Sequence, residues 1–230
     1  MHAVASSREV TPEEAKAELW RRGELSWKLY DCQKPVYDAV RAGDGITWIN
    51  EIGRQVGKSI IDGVVLLEEG LRGKNRQLLY AAPTGVMVND IFVPNLRILC
   101  EDAPEDIRPI IKGNKVLFPS TGSVIKMAGC EDELKADRLR GPFCHFAVVD
   151  EAGFIPILDY VLKSVIGPQL LTTRPDSRML ISSTPSRKPG HPFTILADKA
   201  EEMGTYCHRS IYDSTVNGTP EKIEDFKALC

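Results

Sequence analysis

Short apolar runs alternate with longer stretches of helical periodicity along most of this chain. The runs at 46–50, 77–82, 146–149, 178–182 and 205–212 are short, rich in aliphatic residues and closed by Pro or polar clusters, which predicts strands. Between them, 60–71, 86–100, 155–166 and 192–203 carry apolar positions at helical spacing. Two further strands, 115–118 and 123–128, flank Ser120-Thr121-Gly122, a hairpin signature. Ahead of these, 11–42 reads as helical, with Thr11 as N-cap and Pro12 at the first helical position, and 1–10 reads as a frayed end. Strands separated by helices predict βαβ units and a mostly parallel sheet with helices on both faces. The expected organisation is an N-terminal helical segment (1–42), an α/β core (43–214) and a polar tail (215–230) that starts a linker to an absent C-terminal domain.

Composition narrows the class. A chain of 230 residues forms one large domain, or one with a small appendage, and can bury a sizeable core. Its 43% apolar and 27% charged residues are those of an ordinary soluble protein. A net charge of −3 argues against a protein that coats nucleic acid over its whole surface. The six cysteines lack a C-x-x-C pair, so neither a zinc site nor a disulfide framework is expected. No apolar run reaches membrane-spanning length, and a soluble protein without a membrane partner follows.

The chemistry is concentrated at three strand ends. After the first strand comes Gly53-Arg54-Gln55-Val56-Gly57-Lys58-Ser59, leading into a helix. Glycines let backbone approach phosphate, the first amides of the helix bind the anion, Lys58 reaches the β- and γ-phosphates and Ser59 completes a Mg²⁺ shell. The general G-x-x-x-x-G-K-[ST] pattern would place a glycine where Ile52 stands. The run 146–149 ends in Asp150-Glu151, placing two acids where open parallel sheets bind ligands. Asp150 would hold Mg²⁺ through a water, and Glu151 would deprotonate the attacking water. The run 178–182 ends in Ser183-Thr184-Pro185, whose hydroxyls could sense the γ-phosphate.

Together these residues resemble the N-terminal ATPase domain of the large terminase subunit of tailed bacteriophages. That family's loop often reads R-Q-x-G-K-[ST], as Arg54-Gln55-Val56-Gly57-Lys58-Ser59 does, so the missing first glycine counts in its favour. Arg140-Gly141 stands about ten residues before the Asp-Glu, Ser183-Thr184-Pro185 looks like the coupling motif, and Leu29-Tyr30-Asp31-Cys32-Gln33 is similar to the adenine-recognition segment. The resemblance covers roughly 28–212. It implies a RecA-like P-loop NTPase of the additional-strand, catalytic-glutamate type, hydrolysing ATP with Mg²⁺ to drive double-stranded DNA into a procapsid. Residues Gly53 to Ser59 would cradle nucleotide, Gln33 would read the base, and Glu151 would be the base catalyst. Arg54 would act in cis, and Arg140, with Arg138 as its rival, would be an arginine finger acting in trans. Implied partners are a homo-oligomeric ring, a pentamer on the portal protein, and the small terminase subunit, all in the host cytoplasm. No nuclease motif is expected in these residues.

Two rivals remain at this level: a superfamily 1 or 2 helicase, which needs a second RecA-like domain, and an inert nucleotide-binding module, against which Lys58 and Glu151 argue. His145, His191, Trp20 and Trp27 read as structural, and the basic loop Arg72, Lys74, Arg76 as solvated. Arg187-Lys188 is the better candidate to face DNA or a neighbouring subunit.

Overall fold

The computed structural model describes residues 10–42, 47–53, 56–186, 188, 190–214, 219–222 and 224. Its framework is an eight-stranded sheet formed by β1 (Thr47–Ile52), β2 (Gln77–Ala82), β3 (Ile110–Lys112), β4 (Lys115–Leu117), β5 (Val124–Gly129), β6 (Phe146–Val149), β7 (Arg178–Ser183) and β8 (Tyr206–Arg209). The order across the sheet is β3-β4-β5-β2-β6-β7-β1-β8. From β5 to β8 every neighbouring pair is parallel, while β4 runs against β5 and β3 against β4. The fold is therefore α/β, built on a mostly parallel sheet with helices on both faces. Strand β7 lies between β1 and β6, so the strand leading into the glycine-containing loop and the strand carrying the two acids are separated by the one ending in Ser183.

Alternation along each strand builds a core on both faces. Leu78, Tyr80, Phe146, Val148 and Leu180 join one buried cluster with helices α1 (Pro12–Arg22), α2 (Lys34–Ala42) and α3 (Lys58–Arg72). Leu79, Ala81, Ala147, Val149 and Ile181 join the other, against the helices over 158–171 and Pro192–Glu202.

Most expected elements stand within a residue or two of their predicted bounds, and the departures have physical causes. The segment 11–42, expected to be helical, holds two α-helices with a 3-10 turn, Ser26–Lys28, between them. Thr11 does cap the first, accepting from the Glu14 amide at 3.2 Å while Glu14 Oε2 accepts from the Thr11 amide at 3.0 Å. Gly23 then ends it in a left-handed conformation (φ 64°), which a side chain would resist. The helix over 85–100 contains a π-helical turn, Val88–Phe92, that slides the Phe92 ring onto Tyr80 with centroids 3.5 Å apart. The helix expected over 155–166 begins at Leu158 and runs to Leu171. The edge strand β3 had no sequence signal, being three residues long with Ile110 and Lys112 exposed. His145 and His191 are structural: the first accepts from the Gln77 amide at 3.2 Å, and the second caps its helix by accepting from the Phe193 amide at 3.2 Å.

Candidate functional site

Because β1, β6 and β7 are parallel, their C-terminal ends share one edge of the sheet, where open α/β folds bind ligands. The loop after β1, the acids after β6 and the hydroxyls after β7 meet there. Gly57 precedes α3 with φ 87°, a conformation that favours glycine, and a Cβ at this position would lie 2.3 Å from Gln33 Nε2. Lys58, the first residue of α3, points back under the loop. Its Nζ is 2.6 Å from Glu151 Oε1 and 3.7 Å from Asp150 Oδ1. Ser59 Oγ donates to Asp150 Oδ2 at 3.2 Å. Glu151 has a left-handed backbone (φ 48°), and its Oε2 accepts from the Thr184 amide and from Thr184 Oγ1, each at 3.3 Å. Ser183 Oγ donates to the Thr184 carbonyl at 2.7 Å and accepts from the Gly153 amide at 2.9 Å, tying β7 to the turn after the acids.

A cavity of about 370 Å³ opens beside these groups, lined by Gly53, Gly57, Lys58, Ser59, Ile60, Asn95 and Glu151. Burial alone would depress the Lys58 ammonium, but Asp150 and Glu151 outweigh it and hold its pKa above the ordinary lysine value. Among the described residues the site thus offers one cation, Lys58, the Glu151 carboxylate at its edge, and the Ser59 hydroxyl beside Asp150. Ser59 and Asp150 are hard oxygen donors of the kind Mg²⁺ takes when phosphate and water complete its shell. Among the described residues no cluster of three or more His, Cys, Asp or Glu could hold a metal by itself.

Gln33, the residue expected to read the base, lies against the end of the loop. Its side chain is fully buried. Nε2 donates to the Val56 carbonyl at 3.0 Å and the Gly57 carbonyl at 3.1 Å, while Oε1 accepts from the Tyr30 amide at 2.9 Å. Both ends of the amide are thus occupied, one of them in clasping the end of the loop at Val56 and Gly57. If this clasp is its role, Gln33→Ala will weaken ATP and GTP binding alike; if it reads the base, ATP affinity will fall and GTP affinity will not. A pair of equilibrium titrations distinguishes the two.

Arg140 is exposed and tethered to its own surface. Nε donates to Asp137 Oδ1 at 2.7 Å, Nη1 to the Ser164 carbonyl at 2.7 Å and Nη2 to the Tyr160 hydroxyl at 3.0 Å. Arg138 is also exposed and makes no ion pair among the described residues. Arg54, Gln55 and Arg187 lie outside the described residues. Arg72, the last residue of α3, pairs with Glu68 at 3.4 Å, and Arg76, in the loop after it, pairs with Glu69 at 2.6 Å.

Four polar residues beneath the site were not singled out by motif. Tyr80 donates to Asp150 Oδ2 at 2.8 Å, and Ser182 Oγ lies 2.7 Å from Asp62 Oδ2 and 3.3 Å from Asp150 Oδ1. Asn50, Asp62 and Ser182 are fully buried, yet Asn50 Nδ2, Asn50 Oδ1 and Asp62 Oδ1 have no partner among the described residues. Each such atom costs about 1–3 kcal/mol. Burial, then the neighbouring Asp150, raise the Asp62 pKa well above the carboxylate range. Asp150 has Lys58, the Tyr80 hydroxyl and the Glu151 amide to stabilise its charge, whereas Asp62 has the Ser182 hydroxyl. Burial raises the pKa of both carboxyls, and Asp62, with fewer groups to stabilise its charge, is the one whose neutral form is favoured more. The only sequence signals were a tyrosine inside the apolar run Gln77–Ala82 and an acid four residues after Lys58.

No protein-family model and no curated protein matches the chain. Solved structures do. The large terminase of a thermophilic bacteriophage superposes with a TM-score of 0.69 at 15% identity, over 88% of this chain and 50% of that one. The Thermus phage P74-26 large terminase ATPase domain gives 0.61 at 20% identity, over 96% of this chain and 92% of that domain. The bacteriophage HK97 large terminase gives 0.64 at 18%, over 80% of this chain and 39% of that one. The chain thus spans half the length of the first of these terminases, which has been solved with ADP and with ATP-γ-S. The fold is that of large terminase ATPase domains.

Proposed function

We propose that this chain is the ATPase domain of a terminase large subunit, hydrolysing Mg-ATP to move double-stranded DNA into a procapsid. The observation that carries the reading is that Lys58, Ser59 and Glu151 line one cavity at the shared strand edge, with Asp150 bonded to Ser59 and Thr184 bonded to Glu151 behind them. The nucleotide seen in the first of the terminases above fits the same assignment.

In this reading, residues Gly53 to Ser59, Arg54 and Gln55 included, wrap the phosphates, and Ser59 and Asp150 hold Mg²⁺. The ion would supply charge neutralisation of the β- and γ-phosphates. Lys58 exchanges its contact with Glu151 for phosphate oxygens, and this frees the carboxylate. Glu151 then takes a proton from a water as that water's oxygen bonds to the γ-phosphorus and the bond to the β,γ-bridging oxygen breaks. ADP leaves with the bridging oxygen, and the γ-phosphoryl leaves as phosphate. Thr184, bonded to Glu151, and Ser183, bonded to the turn after it, carry the change in the acid toward the segment that follows β7. That route is the proposed coupling to movement of DNA.

Arg54 acts in cis in this account. Arg140 reaches a neighbouring subunit's site, its fork oriented beforehand by Asp137, Ser164 and Tyr160. The subunits form a ring, taken as a pentamer, on the portal protein, and receive DNA with the small terminase subunit in the host cytoplasm.

A mixing experiment tests this arrangement. Arg140→Ala keeps a complete catalytic base, and Glu151→Gln keeps the arginine. Each alone is expected to be nearly inactive, and an equimolar mixture should recover a measurable fraction of wild-type phosphate release. Full activity of Arg140→Ala alone would remove that residue from the site, and the same mixture made with Arg138→Ala then decides for its neighbour.

A further inference from the structure

The carboxylate of Asp150 is gripped from two sides by residues outside every phosphate-binding motif. From β2, the Tyr80 hydroxyl donates to Oδ2 at 2.8 Å, and stacking on Phe92 fixes the ring that carries it. From β7, Ser182 Oγ stands 3.3 Å from Oδ1 and 2.7 Å from Asp62 Oδ2 on α3. A hydroxyl has one proton to donate. When Asp62 is neutral it donates to Ser182, and the Ser182 proton turns to Asp150.

Asn50 pairs in register with Ser182 across β1 and β7, so the two side chains share a sheet face. Its amide and Asp62 Oδ1 are buried without a partner among the described residues. Apolar side chains of similar size would pack this face without orphaned atoms, so stability does not account for the polar residues here.

What the grip does follows from Lys58. Its ammonium is 2.6 Å from Glu151 but 3.7 Å from Asp150. An unrestrained Asp150 carboxylate would rotate onto that cation, leaving Ser59 and drawing Lys58 away from phosphate. We propose that Tyr80 and Asp62 are positioning residues, Asp62 acting through Ser182, that hold Asp150 turned toward Ser59 for the metal. The proposal rests on the Mg-ATP reading of the site.

The test is Mg²⁺ titration of fluorescent-ADP binding to wild type, Tyr80→Phe, Ser182→Ala, Asp62→Ala and the Ser182→Ala/Asp62→Ala double variant, with melting temperature measured alongside. Each single variant should raise the Mg²⁺ concentration for half-maximal enhancement by about tenfold, with affinity in EDTA unchanged. The double variant should shift no further than Ser182→Ala alone, since Asp62 acts through that hydroxyl. Tyr80→Phe keeps the ring stack and serves if an Asp62 variant does not fold. Lower melting temperatures with a wild-type Mg²⁺ requirement would make these residues structural and overturn the proposal. A wild-type protein whose nucleotide affinity ignores Mg²⁺ would overturn the site reading itself, and this inference with it.

Discussion

Glu151→Gln is expected to reduce ATP turnover about a thousandfold while ATP still binds, the size expected for loss of a general base. The amide matches the carboxylate in shape, and the Thr184 amide and hydroxyl, now 3.3 Å from Oε2, can still donate to its oxygen. The left-handed backbone at 151 is unaffected by the change. What disappears is basicity, together with the ionic partner of Lys58. Since Lys58 no longer has to leave Glu151 to reach phosphate, ATP affinity should hold or rise. Single-turnover rates and equilibrium binding, measured on the same preparation, separate the two effects. Turnover near the wild-type rate would remove Glu151 from the chemistry.

Lys58→Ala is expected to be the most damaging change to binding and catalysis together, lowering turnover by at least about a hundredfold. The ammonium is 8% exposed and sits against Glu151 at 2.6 Å and Asp150 at 3.7 Å, with Asp62 close behind. Truncation removes the phosphate contact and leaves acids facing one another with no cation. Breaking a buried pair this way costs about 3–5 kcal/mol, discounted here because Glu151 is 19% exposed. Protonation of the acids relieves that repulsion, so the loss in melting temperature should shrink as pH falls. Calorimetry across pH checks this, and a loss that grows toward acid would contradict it.

The parts of this fold that were legible share one property: their environment is uniform. Residues 77–82 and 146–149 are covered by helices on both faces, so they read as unbroken apolar runs, and the strands have those bounds. The loop ending in Gly57-Lys58-Ser59 and the acids Asp150-Glu151 stood out because each follows such a run. Tertiary context decided the rest. Gly23 broke a helix that periodicity would have continued. Gln33 turned inward because two loop carbonyls needed a donor, which local sequence does not announce. Tyr80, Ser182, Asp62 and Asn50 come from four separate segments: the strand order β2-β6-β7 brings Tyr80 and Ser182 to the Asp150 carboxylate, and Asp62 from α3 and Asn50 from β1 meet Ser182.

The central claim is Mg-ATP hydrolysis by subunits that complete one another's sites. The most direct measurement is phosphate release per subunit, with Mg-ATP in excess, across a wide range of protein concentrations. The account predicts a rate that climbs with concentration as rings assemble and vanishes when EDTA removes the metal. A rapid rate that is the same at every dilution would contradict the shared site, and no phosphate release at any concentration would contradict the ATPase itself.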